Sequence, residues 1–410
     1  ASAIPARALS REASVSIDSS SSPPSRMVGV TAAWNGTTHH DMPILQRSNH
    51  RAFLFLAAGL VALTARASAQ CPPQVLVPSV AAQPQWFGAQ VTADDGLAVL
   101  SAPQEDGVGA VYAFSRDAAT VLWSGTQRIE PSLRVNDMRF GIVMAQSGTT
   151  LVVAAPGPTD TFGGAAFVYG FDDGTQRLVE TQGIREPGVG FFGSMVHVDG
   201  DFLAITDAWS HPTRSFGRVY LYRRQAPGGP FESYGTVDSI ERHLTNNRFA
   251  NDAVFLADDR ILLADSEGSI PGERDAGASY ELVRNPADGS WEPVDRIVSP
   301  DPSGADRFGF WIHWDGSQLL AVEPRDDANS NLEGSISVFT RDVGGGWTLV
   351  QKLGPETSGA PLFYFGSRWI VGDGRLWARV TDLGTSPPTA YLESWLRDDA
   401  TGLWLRVGRL

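Results

Sequence analysis

Two histidines hold matching places in the chain: His197 and His313 each lie five residues after the Phe of a Phe-Gly pair. Imidazoles at equivalent positions could share a metal ion or move a proton near neutral pH. The other four copies of the pattern have Thr92, Ala145, Val254 and Ile370 at this point. A third nitrogen or thiolate ligand is therefore missing, and packing or channel lining is the expected role of the two histidines.

The remaining candidates lie in loops. The stretches DAWSH (207–211), DSEGSIPGERD (265–275) and EPRDDANSN (323–331) are rich in oxygen ligands, but their spacing fits no cation cage, and solvated acidic loops are expected. Trp209, His211, Arg214, Arg274 and Arg325 are contact candidates, because aromatic and Arg side chains often anchor interfaces. No nucleophile elbow, HExxH, P-loop or dinucleotide fingerprint occurs in the region after residue 70. A catalytic pair assembled from several loops would leave no such local motif, and the sequence does not pick one out.

The elements that must carry these residues are repeated. Phe87-Gly88, Phe140-Gly141, Phe192-Gly193, Phe249-Ala250, Phe308-Gly309 and Phe365-Gly366 recur at intervals of 53, 52, 57, 59 and 57 residues. Sixteen residues after each Phe an apolar run ends, at Pro103, Pro156, Ala208, Asp265, Pro324 and Thr381. Between them lie short turns such as ADDG (93–96), QSGT (146–149) and WDGS (314–317), so each unit opens with a tight hairpin. A Gly and an aromatic-rich strand follow, as in GAVYAF (109–114), then a fourth strand, as in WTLVQKLGP (347–355). Six such units predict an all-β, six-bladed β-propeller of four-stranded antiparallel blades, with seven blades as the alternative.

The Phe-Gly pairs, with Ala154-Ala155-Pro156 at the end of the second hairpin, resemble the FG-GAP repeat family, which also builds the propeller of integrin α subunits. The resemblance spans about residues 74–410, although the third, fourth and sixth units lack Ala-Pro. It implies calcium loops in the first hairpins, but these turns are too short to wrap an ion that needs six to eight oxygens. No cofactor is expected, and calcium is unsupported at the hairpins. The repeated Phe is expected to wedge between blades, with Gly giving clearance. QVLVP (74–78) reads as a fourth strand ahead of the first unit, and is expected to help clasp the ring beside the last blade.

The chain before residue 70 differs in composition. Residues 1–41 form an expected disordered leader, with Met42 as an alternative start of translation, and 42–69 resemble a signal peptide: Arg47 and Arg51, an apolar Ala52–Ala65 run, and Ala67-Ser68-Ala69. The propeller then occupies 70–410, exported to the periplasm, cell surface or medium. Cys71 follows the cleavage point without a lipoprotein pattern, so a lipid anchor is not expected there. A net charge of −14 opposes nucleic acid, and no later segment is long and apolar enough to span a membrane. The favoured function is a non-enzymatic adhesion or binding propeller whose variable loops meet an extracellular protein or glycan. The rival is a secreted hydrolase or lyase at the channel mouth, which converging acids and an imidazole with shifted pKa would favour.

Overall fold

The computed structural model describes residues 14–18, 29–33, 74–78, 86–94, 96–157, 163–186, 190–207, 217–240, 249–326, 333–356, 362–363, 365–366, 368–372, 374–383 and 385–409. Six blades of four antiparallel strands follow one another around a ring. The first comprises Val91–Asp94, Leu97–Ala102, Ala110–Arg116 and Trp123–Ile129. The second comprises Val143–Ser147, Thr150–Ala155, Ala165–Asp172 and Arg177–Ile184. The third comprises Met195–Asp199, Phe202–Asp207, Arg218–Arg224 and Phe231–Asp238. The fourth comprises Asp252–Ala257, Arg260–Asp265, Ala278–Arg284 and Trp291–Ile297. The fifth comprises Ile312–Trp314, Gln318–Glu323, Ser335–Arg341 and Trp347–Leu353. The sixth comprises Trp369–Gly372, Arg375–Asp382, Thr389–Arg397 and Trp404–Arg409, with Leu362–Phe363 added beside its second strand.

Strand order within each blade follows the chain, as tight hairpins require. First strands of successive blades touch one another from the first blade through the fifth, which places them innermost. The register between third and fourth strands shifts by one residue in all six blades, for instance at Val168/Tyr169 and Val338/Phe339. Such a bulge raises the local twist, which gives a blade its propeller pitch.

The repeated Phe does wedge between blades. Phe140, Phe192, Phe249, Phe308 and Phe365 are wholly buried, and Phe140 packs with Val99 and Val111 of the first blade and Leu151 and Phe167 of the second. Each such side chain contributes about 1.5–3 kcal/mol by burial. Phe87 stays partly exposed and meets Tyr112 edge-on.

The partner of this wedge is the Gly that opens the third strand of the preceding blade. Gly164 has φ +88° and bridges to Phe192, and an added Cβ would stand 2.1 Å from the Phe192 carbonyl oxygen. Gly109, Gly277 and Gly334 stand in the same relation to Phe140, Phe308 and Phe365. The two glycine signals of each repeat thus meet, one blade apart.

At the rim, a Gln of one outer strand holds the next outer strand by both amide atoms. Gln127 Nε2 donates to Leu178 O and Leu178 N donates to Gln127 Oε1, each at 2.9 Å. Gln182 grips Phe231 and Gln351 grips Trp404 in the same way. Gln74 grips Trp123 identically, and Leu76 is buried against the first blade. The strand Gln74–Leu76 thus behaves as a fourth strand, as expected, but it does not join the sixth blade. It pairs with Ser14–Asp18, which pairs with Gly29–Ala33. The physical reason is occupancy: Trp404–Arg409 already fills the outer place of the sixth blade. Cys71 and the signal-like segment 42–69 lie outside the described residues.

Gly164→Ala is expected to cost about 3 kcal/mol or more, because backbone rather than a movable side chain blocks the new methyl. Gly148→Ala, in a turn with open space around it, is expected to cost about 1 kcal/mol. Denaturant midpoints of the two variants check the contrast.

Candidate functional site

The third and fourth blades bring a carboxyl group and an imidazole to one cavity beside the axis. It is a tight crevice without room for a water molecule, lined by Met195, Val196, His197, Ala204, Thr206, Asp252 and Ala253. Asp252 opens the innermost strand of the fourth blade. Its Oδ2 accepts from Ile312 N and its Oδ1 from Ala253 N, both at 2.9 Å. Dense protein surroundings push its carboxyl up to about 7, although the two backbone N–H groups pull the other way. Asp252 therefore keeps its proton to a higher pH than an ordinary carboxyl does, while part of its surface stays open.

His197 lies mid-strand in the same wall, its ring 6.1 Å from that of Phe255. Burial, and then the neighbouring charge of His313, lower it to about 4. Burial also lowers His313, which packs edge-on against Trp369. Both rings are neutral at pH 7. A neutral imidazole can donate one hydrogen bond and accept another, and a carboxyl titrating near 7 is suited to general base work.

A second cluster of titratable groups lies at one end of the fifth blade. Asp306, Glu323 and Asp326 are buried with carboxylate oxygens within 4.8 Å of one another. The ammonium of Lys352, the sole lysine of the chain, reaches into it. It bonds Asp301, lies 2.7 Å from Asp326 Oδ2 and 3.9 Å from Glu323 Oε2. Ser299 and Ser337 donate to the two oxygens of Glu323 at 2.6 and 2.9 Å. Burial pushes the Glu323 carboxyl up to about 7, with Lys352 opposing. Burial also acts against the charge of Lys352, but its three acidic neighbours reverse this and raise it. The cation this cluster holds is the protein's own.

Of the contact candidates, Trp209, His211 and Arg214 lie outside the described residues. Arg274 is exposed and pairs with Asp275 at 3.5 Å, and Arg325 is half-buried after the second strand of the fifth blade. His197 and His313 are brought close enough for their charges to interact. Asp252 escaped the sequence reading. Its signal is positional: three residues after the Phe, the other units place Gln90, Val143, Met195, Trp311 and Arg368, so Asp252 is the lone carboxylate of that ring position.

No family model matches the chain, and no curated protein matches it. Among solved structures, the chain is similar to a protein of Bacteroides uniformis provisionally named a 6-phosphogluconolactonase. Identity is 14% over 82% of this chain and 88% of that one, with a TM-score of 0.52. A similarly named protein of Bacteroides fragilis gives 15% identity, 83% and 87% coverage and a TM-score of 0.51. Likeness at this identity shows the propeller fold. The names these neighbours carry are those of enzymes, which counts against the non-enzymatic binding domain favoured by the sequence. The binding reading rests on loops of unequal length, whereas Asp252 and His197 lie on inner strands. No helix among the described residues is long and apolar enough to cross a membrane.

The fifth-blade cluster makes stability pH-dependent. Folded Glu323 keeps its proton from about 4.5 to about 7, where the unfolded chain has released it, so its contribution is full below this window and falls as pH rises through it. Lys352→Met is expected to cost about 3 kcal/mol at pH 8 and less at pH 5, where the carboxyl is protonated. Denaturant titrations at the two pH values measure the difference.

Proposed function

We propose that this chain is a hydrolase acting on a lactone-type ester, with its site where Asp252 and His197 share the axial cavity. The observation that carries this reading is a carboxyl group titrating near 7 in the same wall as a neutral imidazole. The ionised Asp252 takes a proton from water as the water oxygen attacks the ester carbonyl. The His197 N–H steadies the developing oxyanion, as a neutral imidazole can. The carbonyl–oxygen bond of the ring then breaks, Asp252 returns its proton to the leaving alkoxide, and the product is a hydroxy acid.

The cavity as it stands is too tight to seat a water molecule. Met195 is the unbranched, adaptable side chain of its lining. The assignment of the repeats to the FG-GAP type rests on the six Phe pairs, and export rests on the signal-like residues 42–69.

A panel of sugar, aliphatic and aromatic lactones tests the reading. Turnover is expected to rise with pH and level off above about 7, as Asp252 ionises. Asp252→Asn is expected to lower kcat by roughly 100-fold or more, with the circular dichroism spectrum unchanged. Absence of turnover across the panel, or full activity in the variant, overturns it.

A further inference from the structure

The fourth blade departs from the repeat at three consecutive residues, Ala250, Asn251 and Asp252. The first stands where the other units have the Gly of the Phe-Gly pair. Gly88, Gly141, Gly193, Gly309 and Gly366 have φ between +78° and +90°, and Ala250, wholly buried, keeps a left-handed turn at φ +54°. A side chain is strained in this region, and such a residue persists where its surroundings over-determine it. The anchoring bond shifts as well. In the first, second, third and sixth blades the N–H of that Gly donates to the second strand, whereas in the fourth the N–H of Asn251 does so, to Ala264 O at 3.1 Å.

The Asn251 carboxamide supplies the constraint. Its Nδ2 donates to Gly309 O at 3.0 Å and to Phe310 O at 2.7 Å, and its Oδ1 accepts from Ser266 N at 2.8 Å. Both amide hydrogens and the oxygen are thus engaged, and the reverse orientation would set an oxygen against two carbonyls. The two carbonyls belong to the segment that enters the inner strand of the fifth blade. Two residues beyond Phe310, the N–H of Ile312 donates to Asp252 Oδ2. Adjacent side chains of the fourth blade therefore hold residues 309–312 of the fifth by three hydrogen bonds.

Other junctions among the described residues lack this lacing. At the position of Asn251 the first, second and fifth blades have Ala89, Ile142 and Phe310, which carry no polar side chain. In the third, Ser194 turns back to Thr206 of its own blade. The clamp thus coincides with the junction that presents the carboxyl, and with the one repeat whose turn is strained.

We infer that Asn251 is the positioning residue of the site: by locking the entry of the fifth blade against the start of the fourth, it fixes the Ile312 N–H on one oxygen of Asp252 and so sets how the carboxylate faces the crevice it shares with His197. The catalytic consequence rests on the hydrolase reading above, while the hold on the carboxyl does not. The other bond to Asp252, from Ala253 N, lies within the same strand and survives without the clamp; the bond from Ile312 crosses between blades and does not. Burial and these two N–H groups set the Asp252 carboxyl, and His197, the titratable side chain of the same lining, is neutral at pH 7. A hydrogen bond to the ionised form favours that form, so losing the Ile312 donor raises the carboxyl further.

Asn251→Ala tests the inference, with Asn251→Ser as the conservative variant that keeps one donor. Gln182→Ala, which breaks the two bonds of a rim grip far from Asp252 in the chain, is the control for lost stability. The Asp252 carboxyl is followed by carbon NMR of protein labelled at its aspartate carboxyls, its resonance identified by its loss in Asp252→Asn. Asn251→Ala is expected to move the Asp252 midpoint up by roughly one pH unit. With a lactone that the native chain turns over, it is expected to lower kcat by about tenfold or more with little change in KM. Asn251→Ser is expected to fall between the two, and Gln182→Ala to lower Tm while leaving the midpoint and kcat in place. An unmoved midpoint in either folded Asn251 variant, or an equal shift in Gln182→Ala, overturns the inference. A shifted midpoint in a chain that turns over no lactone supports the hold of Asn251 on the carboxyl and overturns the hydrolase reading alone.

Discussion

The architecture depends on one close approach: the backbone of each wedge Phe lies against the Gly that opens the third strand of the blade before it, at a distance no side chain on that Gly would permit. This contact sets the separation of neighbouring blades, and the Phe ring then fills the space that the separation leaves. The Gln grips at the rim fix the angle between outer strands in the same way. Hub and rim are thus laced independently, and the inner strands inherit their placement from both. Asp252 is an instance: the N–H of Ile312 reaches its carboxylate only because the fourth and fifth blades are held in this register.

Much of this was readable in the sequence because it is periodic. The interval between Phe pairs, the constant hairpin length and the Gly ahead of each aromatic strand are local features, and the six blades follow from them. That the two glycine signals meet is not local, since Gly109 and Phe140 belong to different units. The fate of QVLVP was half legible. Its Gln-x-Leu spacing matches Gln127-Arg128-Ile129 and Gln351-Lys352-Leu353, which identifies an outer strand, but not the neighbour it serves.

The site was less legible. His197 and His313 announced themselves by sharing a repeat position, whereas Asp252 looks in sequence like any acid among 46. Its distinction is a pKa raised by burial against two backbone hydrogen bonds that lower it, one of them from Ile312 on the next blade, and the packing that buries it is not written near it in the chain. The variable loops drew attention because length variation is visible in a sequence, while the inner strands vary by single residues within a constant frame. For a propeller, departures from the consensus at one ring position carry more about chemistry than the consensus itself.

The single lysine has a practical consequence. With Lys352 gripped by Asp301 and Asp326 and its proton held more firmly than usual, the folded protein offers its only side-chain amine in a form that acylating reagents attack slowly. Local opening of the fifth blade releases it. The rate of acylation at this one position therefore acts as a clock for the breathing of a single blade, read on an otherwise silent background of arginines.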